Sequence, residues 1–305
     1  MSVTVFGSLN LDIALRLPSR ARWGETLIVD QATEALGGKG LNQAIAAARF
    51  GAATRMAGAV GDDAAGTRLV AGLAEAGVET GAVARIAGAR SGRATILIEP
   101  AGENMIAVEA GANHAATAAG ALSAIDGETR VVLAQNECDI GEIAALFAHP
   151  ALAGKRRMLN AAPAVASAAR LFGLADMLIF NQSEFAAYLQ LDAEPETLAD
   201  LAVARRLLTR PDQVVVVTLG ATGAAAIRAD GAVFSPAFPA AQVVDTSGAG
   251  DCFCGVLAAC VDLGIGMEAA LRYANAAAAL AVQAEGAAPA MPGRAAVEGF
   301  LGRSG

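Results

Sequence analysis

The segment Asp245-Thr246-Ser247-Gly248-Ala249-Gly250-Asp251 has the residue types and spacing of a phosphoryl-transfer loop. The apolar pair Val243-Val244 leads in, and a helical run follows. Small residues let a backbone approach a ligand closely. The unpaired N–H groups of a helix's first turn carry partial positive charge. Gly248, Ala249 and Gly250 therefore form a candidate anion hole for a transferring phosphoryl group. Asp251 falls in that first turn, where a carboxylate can take the proton of an attacking hydroxyl. The blander alternative is a glycine turn with Asp251 as a helix cap.

Four further segments have polar residues at useful spacing. Gly37-Gly38-Lys39-Gly40-Leu41-Asn42 places glycines before a helix, followed by a lysine and an amide. It is not a G-x-x-x-x-G-K-[ST] loop, since no Ser or Thr follows Lys39. Its amides could meet sugar hydroxyls, and an ordinary helix start is an equal reading. In Gly7-Ser8-Leu9-Asn10-Leu11-Asp12, the alternate residues Asn10 and Asp12 can face one cleft and hold a polyol. Asn181-Gln182-Ser183-Glu184 could bind a hydrated Mg²⁺ near phosphates, or act as a capping box, or both. Thr218-Leu219-Gly220-Ala221-Thr222-Gly223 leaves room for a nucleotide, or is a plain turn.

Each segment sits at the end of an expected strand or the start of an expected helix. Strands are expected at 3–6, 55–60, 131–134, 157–160, 177–180 and 214–218. Helices are expected at 41–50, 63–76, 140–148, 182–190, 198–208, 249–261 and 267–284. The alternation argues for one α/β domain over 1–305, with a mostly parallel sheet and helices on both faces. Two β-like insertions, near 11–35 and 91–111, interrupt it and are expected to meet as one small sheet. The first reads as a hairpin-like excursion including Thr26–Val29. The second is a hairpin of 94–98 and 105–108 turning at Ala101-Gly102-Glu103-Asn104. A further edge hairpin is expected at 224–228 and 232–235. Ligands of open α/β sheets bind beyond the carboxyl ends of the strands. A small sheet over that edge would exclude water as a lid.

Composition narrows the classes of function. The chain has 305 residues, 55% hydrophobic and 17% charged, which fits a packed globular protein. A net charge of −8 without a basic run argues against nucleic acid or an anionic membrane surface as partner. No apolar run is long enough to span a bilayer, and the N-terminus lacks a leader's pattern. With Cys138, Cys252, Cys254 and Cys260 read as reduced thiols, a cytoplasmic protein is expected. Cys252 and Cys254 are poorly spaced to share a metal. Only His114 and His149 are present, so acid–base work is expected from carboxylates or lysine.

Together these segments resemble the ribokinase-like family of carbohydrate kinases, over nearly the whole chain. The likeness rests on Gly38-Lys39-Gly40-Leu41-Asn42-Gln43-Ala44 and Asp245 to Asp251, in the family's order and separation. Gly24-Glu25-Thr26, Gly102-Glu103-Asn104, Gly111-Ala112-Asn113, Asn160 to Ala164 and Glu285-Gly286-Ala287 add to it, and the likeness is strongest to members acting on ribose. The resemblance implies a three-layer αβα fold with a small β-sheet lid. It also implies ATP-dependent phosphorylation of a small sugar at its primary hydroxyl, ribose giving ribose 5-phosphate. Asp251 would be the base, and Gly248, Ala249 and Gly250 would stabilise the transferring group. Asn10, Asp12, Gly38, Lys39, Gly40, Asn42 and Glu137 would bind sugar. Asn181, Thr218, Gly220, Thr222, Gly223, Gly250 and Asn275 would border ATP. Glu184 would organise Mg²⁺ through water. Asp245, Ser247, Ala281, Ala284 and Gly286 would hold a monovalent cation, K⁺, that orients the anion-hole loop. The resemblance further implies a homodimer formed through the lid.

Four positions depart from the family's pattern. Trp23 stands where proline is usual, and Ala290 where a serine helps ligate the cation; Cys252 and Cys254 replace polar residues after the base. Other substrates of the same fold remain open: deoxyribose, a ketohexose, a keto-deoxy sugar acid or a nucleoside. A silent sugar-binding protein on the same scaffold is the alternative of another class.

Overall fold

In the computed structural model, residues 1–29, 31–101 and 103–303 are described. Gly102, in the expected hairpin turn, and Asp30, at the end of the expected excursion, lie outside them. The elements run β1 (Ser2–Phe6), β2 (Asn10–Arg16), β3 (Gln31–Gly37), α1 (Lys39–Arg49), β4 (Ala53–Gly61), α2 (Ala64–Glu75) and β5 (Glu79–Ile86). Then come β6 (Gly92–Ile98), β7 (Asn104–Glu109), α3 (Ala118–Leu122), β8 (Thr129–Gln135), α4 (Ile140–Ala148), β9 (Arg156–Asn160) and β10 (Met177–Phe180). The chain finishes with α5 (Gln182–Leu189), β11 (Val214–Thr218), β12 (Gly223–Ile227), β13 (Ala232–Pro236), α6 (Ala249–Asp262), α7 (Met267–Ala281) and α8 (Arg294–Arg303).

A nine-stranded sheet runs β13-β12-β11-β10-β9-β8-β1-β4-β5, parallel from β11 to β5 and antiparallel at the β12–β13 edge. The central strands are buried on both faces, and their side chains alternate between two cores. In β8, Val131 and Leu133 face one core while Val132 and Ala134 face the other. In β11, Val214 and Val216 oppose Val215 and Val217 in the same way. The first core is closed by α1, α2, α6 and α7, through residues such as Leu41, Leu69, Phe253 and Leu271. The second is closed largely by α4, α5 and the 3₁₀ segments, through Phe147, Phe185 and Leu171. Each fully buried Leu or Phe adds about 1.5–3 kcal/mol of hydrophobic stabilisation.

From β1 the chain first moves outward through β4 and β5. It then returns to β8, on the other side of β1, and continues to β11. The strand order therefore reverses between β1 and β8, and a crevice opens beyond their carboxyl ends. A second sheet of four strands, β3-β2-β6-β7, stands beside that edge and joins the two insertions.

Four expectations change. Thr26–Val29 form no strand: β2 ends before Pro18, so its pairing with β3 stops at Arg16↔Gln31 and nothing opposes the earlier residues. Residues 199–207 are a 3₁₀ helix, because the buried Leu201, Ala204 and Leu207 recur every third residue. Asp200 also tightens the entry by accepting the N–H groups of Glu196 and Thr197. Helix α7 stops at Ala281, since the Val282 carbonyl is taken by the N–H groups of Val244 and Asp245. Strand β5 was not anticipated. As a mostly exposed edge strand, Glu79–Ile86 lacks the clean alternation that marks a buried one.

Candidate active site

Asp251 is buried at the start of α6, and two amides from α1 hold its carboxylate. Asn42 Nδ2 donates to Oδ2 at 3.0 Å and Gln43 Nε2 to Oδ1 at 2.9 Å. Lys39, Asn42 and Gln43 are spaced i, i+3 and i+4, so one helix face presents all three. The loop before α6 turns at Gly248, the N-cap, whose φ of 74° is in the left-handed region. Beyond it, Ala249, Gly250 and Asp251 have no carbonyl four residues back within the helix. Ala249 N–H makes a 3.3 Å bond to the Thr246 carbonyl, a tight-turn contact. The first turn of α6 thus directs N–H groups to one side of the Asp251 carboxylate.

The crevice between β1 and β8 gathers a second polar group. Ser8, just after β1, donates its hydroxyl to Glu137 Oε2, just after β8. The Lys39 N–H donates to the same oxygen at 3.3 Å. Asn10 and Asp12 project from β2; Asn10 pairs with Gly37 and Gly92, and Asp12 packs diagonally over Gly37. A methyl group on Gly37 would lie 2.0 Å from Asp12 Oδ2, and one on Gly92 would lie 2.2 Å from Asn10 Oδ1. Without a side chain, these two positions give both polar groups room. Asn113 then fixes Asn10: its Nδ2 donates to Asn10 Oδ1 at 2.7 Å, so Asn10 turns its own N–H₂ elsewhere. Burial, then the charges of Glu137 and Asp251, push the Asp12 carboxyl up to about 7.

A hollow of about 210 Å³ opens against Asp251. Lys39, Asn160, Asn181, Glu184, Thr218, Gly248 and Gly250 line it. Burial pulls the Lys39 ammonium down, but Asp251, Glu137 and Glu184 outweigh it and the net shift is upward, so the charge is retained. Burial raises the Glu184 carboxyl, and Asp251 adds to that. Asn181 and Glu184 form the capping box: Asn181 Oδ1 accepts Glu184 N–H at 2.8 Å, and Glu184 Oε2 accepts Asn181 N–H at 2.9 Å. The capping geometry is present, and Glu184 still lines the hollow.

Thr218 and Gly250 also border a larger, apolar cleft of about 590 Å³. Its walls include Gly220, Gly223, Phe238, Val243, Ala278 and Val282. Thr222 is exposed and lies outside the wall. Asn275 lines the cleft while its Nδ2 donates to the Ser235 and Pro236 carbonyls, tying α7 to β13. A hollow of about 840 Å³ at the opposite edge of the sheet, with Arg130, Lys155 and Arg228, is reached by none of these segments.

The loop before α6 is tied to the segment after α7. Asp245 Oδ1 accepts Ser247 N–H at 2.8 Å and Oδ2 accepts Gly286 N–H at 2.9 Å. Burial pushes the Asp245 carboxyl up, but these bonds and the Arg16 charge outweigh it and hold it below its ordinary value. Ala281 and Ala284 bracket the turn between α7 and Gly286, where the Ala281 carbonyl accepts Ala284 N–H at 3.2 Å. Among the described residues, no three His, Cys, Asp or Glu side chains cluster as a metal would require. The four cysteines are buried free thiols.

Residues 1–294 match the model of the pfkB family carbohydrate kinases. The chain belongs to this family. It is a ribokinase-like sugar kinase. Among pfkB relatives, Bacillus subtilis ribokinase is 35% identical over 302 residues, covering 98% of this chain and 99% of that protein. The bifunctional ribokinase/ribose-5-phosphate isomerase A of Fructilactobacillus sanfranciscensis is 34% identical over 97% of this chain, which spans 55% of that relative's length. The structure of Arabidopsis thaliana ribokinase complexed with ribose and ATP has a TM-score of 0.88, with 29% identity and 98% of each chain covered. Among the described residues of this pfkB chain, no helix is long and apolar enough to cross a membrane.

Several residues at the site had no assigned role in the sequence reading. Gln43, Gln135 and Asn160 surround Asp251, Ser8 and Asn113 support the crevice, and Phe238 and Val243 wall the cleft. For Gln43 a signal existed, since it shares a helix face with Lys39 and Asn42. Gln135 and Asn160 end apolar strands whose adjacency only the sheet order supplies.

Proposed function

We propose that this chain transfers the γ-phosphoryl group of ATP to the primary hydroxyl of D-ribose, giving ribose 5-phosphate and ADP. One observation carries the reading: the clamped Asp251 carboxylate stands where the polar crevice meets the hollow leading to the apolar cleft. Asn10, Asp12, Asn42 and Glu137, with the backbone from Gly38 to Gly40, offer donors and acceptors for a neutral polyol. Asn42 Oδ1, buried without a partner, suits a sugar hydroxyl. The apolar cleft suits an adenine, bordered by Thr218, Gly220, Gly223 and Asn275, with Asn181 in the adjoining hollow. Asp251 takes the hydroxyl proton as the new O–P bond forms and the bond to the leaving ADP breaks. Gly248, Ala249 and Gly250 stabilise the moving charge through backbone amides, and Lys39 adds a fixed positive charge beside it.

The residues present fit a hydrated Mg²⁺, because the Glu184 carboxylate faces the small hollow without a set of direct ligands. When bound, that ion would neutralise phosphate charge. Both Asp245 oxygens keep a lone pair after accepting one N–H each. With the Ser247 carbonyl and those near Ala281, Ala284 and Gly286, they fit a monovalent cation, K⁺, that steadies the loop. We assign the four-stranded sheet as a lid made from the insertions near 11–35 and 91–111. The exposed Met105, Ile106 and Val108 on β7 support a homodimer formed through it. Four reduced thiols support a cytoplasmic enzyme.

The test is coupled ADP release across ribose, deoxyribose, a ketohexose, a keto-deoxy sugar acid and a nucleoside. With Mg²⁺ and K⁺ present, ribose is expected to lead by at least about tenfold in kcat/KM. A different leading substrate would reassign the specificity; binding without ADP release would leave a silent sugar-binding protein. Asp12 supplies a second check. Its carboxyl is protonated below about 7 and charged above, and only the charged form presents both oxygens as charge-assisted acceptors. The sugar KM is therefore expected to fall as pH rises through 7, and Asp12→Asn should raise KM and flatten that dependence. A pH-independent KM in the native enzyme would remove Asp12 from sugar binding.

A further inference from the structure

The Asp251 carboxylate is backed by a fully buried row of amides. Gln135, at the end of β8, donates from Nε2 to Gln43 Oε1 at 2.7 Å. Gln43 Nε2 then donates to Asp251 Oδ1 at 2.9 Å and to Asn160 Oδ1 at 3.0 Å. Gln43 and Gln135 are both 0% exposed. The direction of the row follows from chemistry. A carboxylate only accepts, so Gln43 must turn its N–H₂ to Asp251, and its carbonyl is left for Gln135 to donate to. The Gln43 amide therefore uses both donors and its acceptor, and turning it over would set oxygen against oxygen at Asp251; only Gln135 Oε1 is left without a partner.

We infer that Gln43, backed by Gln135, is a positioning residue that aims the Asp251 carboxylate at the acceptor hydroxyl. The inference rests on the reading of Asp251 as the base. Gln43 has no access to substrate, so it acts through the groups it holds, Asp251 and, beside it, Asn160. Each carboxylate oxygen has two lone pairs. The bonds from Gln43 and Asn42 occupy one on each and fix the carboxylate plane, so a remaining lone pair faces the site. The three groups come from β8, α1 and α6, so the row also sets the base's position relative to the crevice beyond β1 and β8.

Two variants test this, with Asp251→Asn measured beside them. Gln43→Met keeps the length but donates nothing. It is expected to lower kcat by about 10- to 100-fold, with the sugar Kd by calorimetry within about threefold. Gln43→Glu keeps an acceptor for Gln135 but sets a second carboxyl against Asp251. The two would share a proton, so the acid limb of the kcat–pH profile is expected to rise by about one pH unit. A merely structural role for Gln43 would lower Tm in Gln43→Met without splitting kcat from the sugar Kd. An unchanged kcat in Gln43→Met, or an unmoved acid limb in Gln43→Glu, overturns the inference if Asp251→Asn is inactive. If Asp251→Asn keeps near-normal turnover, the reading of Asp251 as base has failed, and the inference falls with it.

Discussion

Asp251→Asn is expected to lower kcat by about 10²–10⁴-fold while sugar still binds. The substitution keeps the side chain's shape and removes the basic lone pair that accepts the hydroxyl proton. It is more informative than Asp251→Ala, which would also empty a buried site and strand the amides of Asn42 and Gln43. Asparagine has one carbonyl oxygen where aspartate has two acceptors. One of the two donors then faces an N–H₂ group, at a cost of about 1–3 kcal/mol in stability. A modest fall in Tm is therefore expected with the fall in kcat, and calorimetry with sugar separates the two. A variant with near-normal kcat would show that the hydroxyl proton leaves by another route.

The same carboxylate shows which parts of the site were legible in the sequence. The glycines and Asp251 were legible because their chemistry is local: a helix start, its free N–H groups and a carboxylate lie within a few residues. The parallel sheet was legible because β8, β10 and β11 each contain four consecutive apolar residues and β1 is broken only by Thr4. The amides behind Gln43 were harder to see, because Gln135 and Asn160 meet it only through the order in which β8 and β9 lie in the sheet. Gly37 and Gly92 were opaque for a similar reason. Their role is to leave space for Asp12 and Asn10, which depends on cross-strand register and not on spacing along the chain. Strand β5 lacked a period, and residues 199–207 had a threefold period that resembles an α-helical stripe over so short a span.

Gly248→Ala is the other substitution with a large expected effect, because it disturbs the anion hole from two directions. The residue's φ of 74° costs an L-residue about 1–2 kcal/mol. A Cβ there would lie 2.6 Å from Ala287 Cβ and 3.0 Å from Ala287 Cα, so backbone must move. Ala287 follows Gly286, whose N–H is held by Asp245, and Asp245 also holds Ser247 N–H. A shift at Ala287 thus passes to both sides of the loop that presents Ala249 and Gly250. Loss of one aligned donor costs about 10²–10³-fold in such a site, and a fall of that order in kcat is expected, with the sugar Kd unchanged. Adding Ala287→Gly should relieve the 2.6 Å contact but neither the 3.0 Å approach to Cα nor the φ strain, so part of the lost kcat should return. A Gly248→Ala enzyme with native kcat would show that these N–H groups do not stabilise the transferring group. A double variant no faster than the single one would place the effect in the φ strain and the approach to Ala287 Cα.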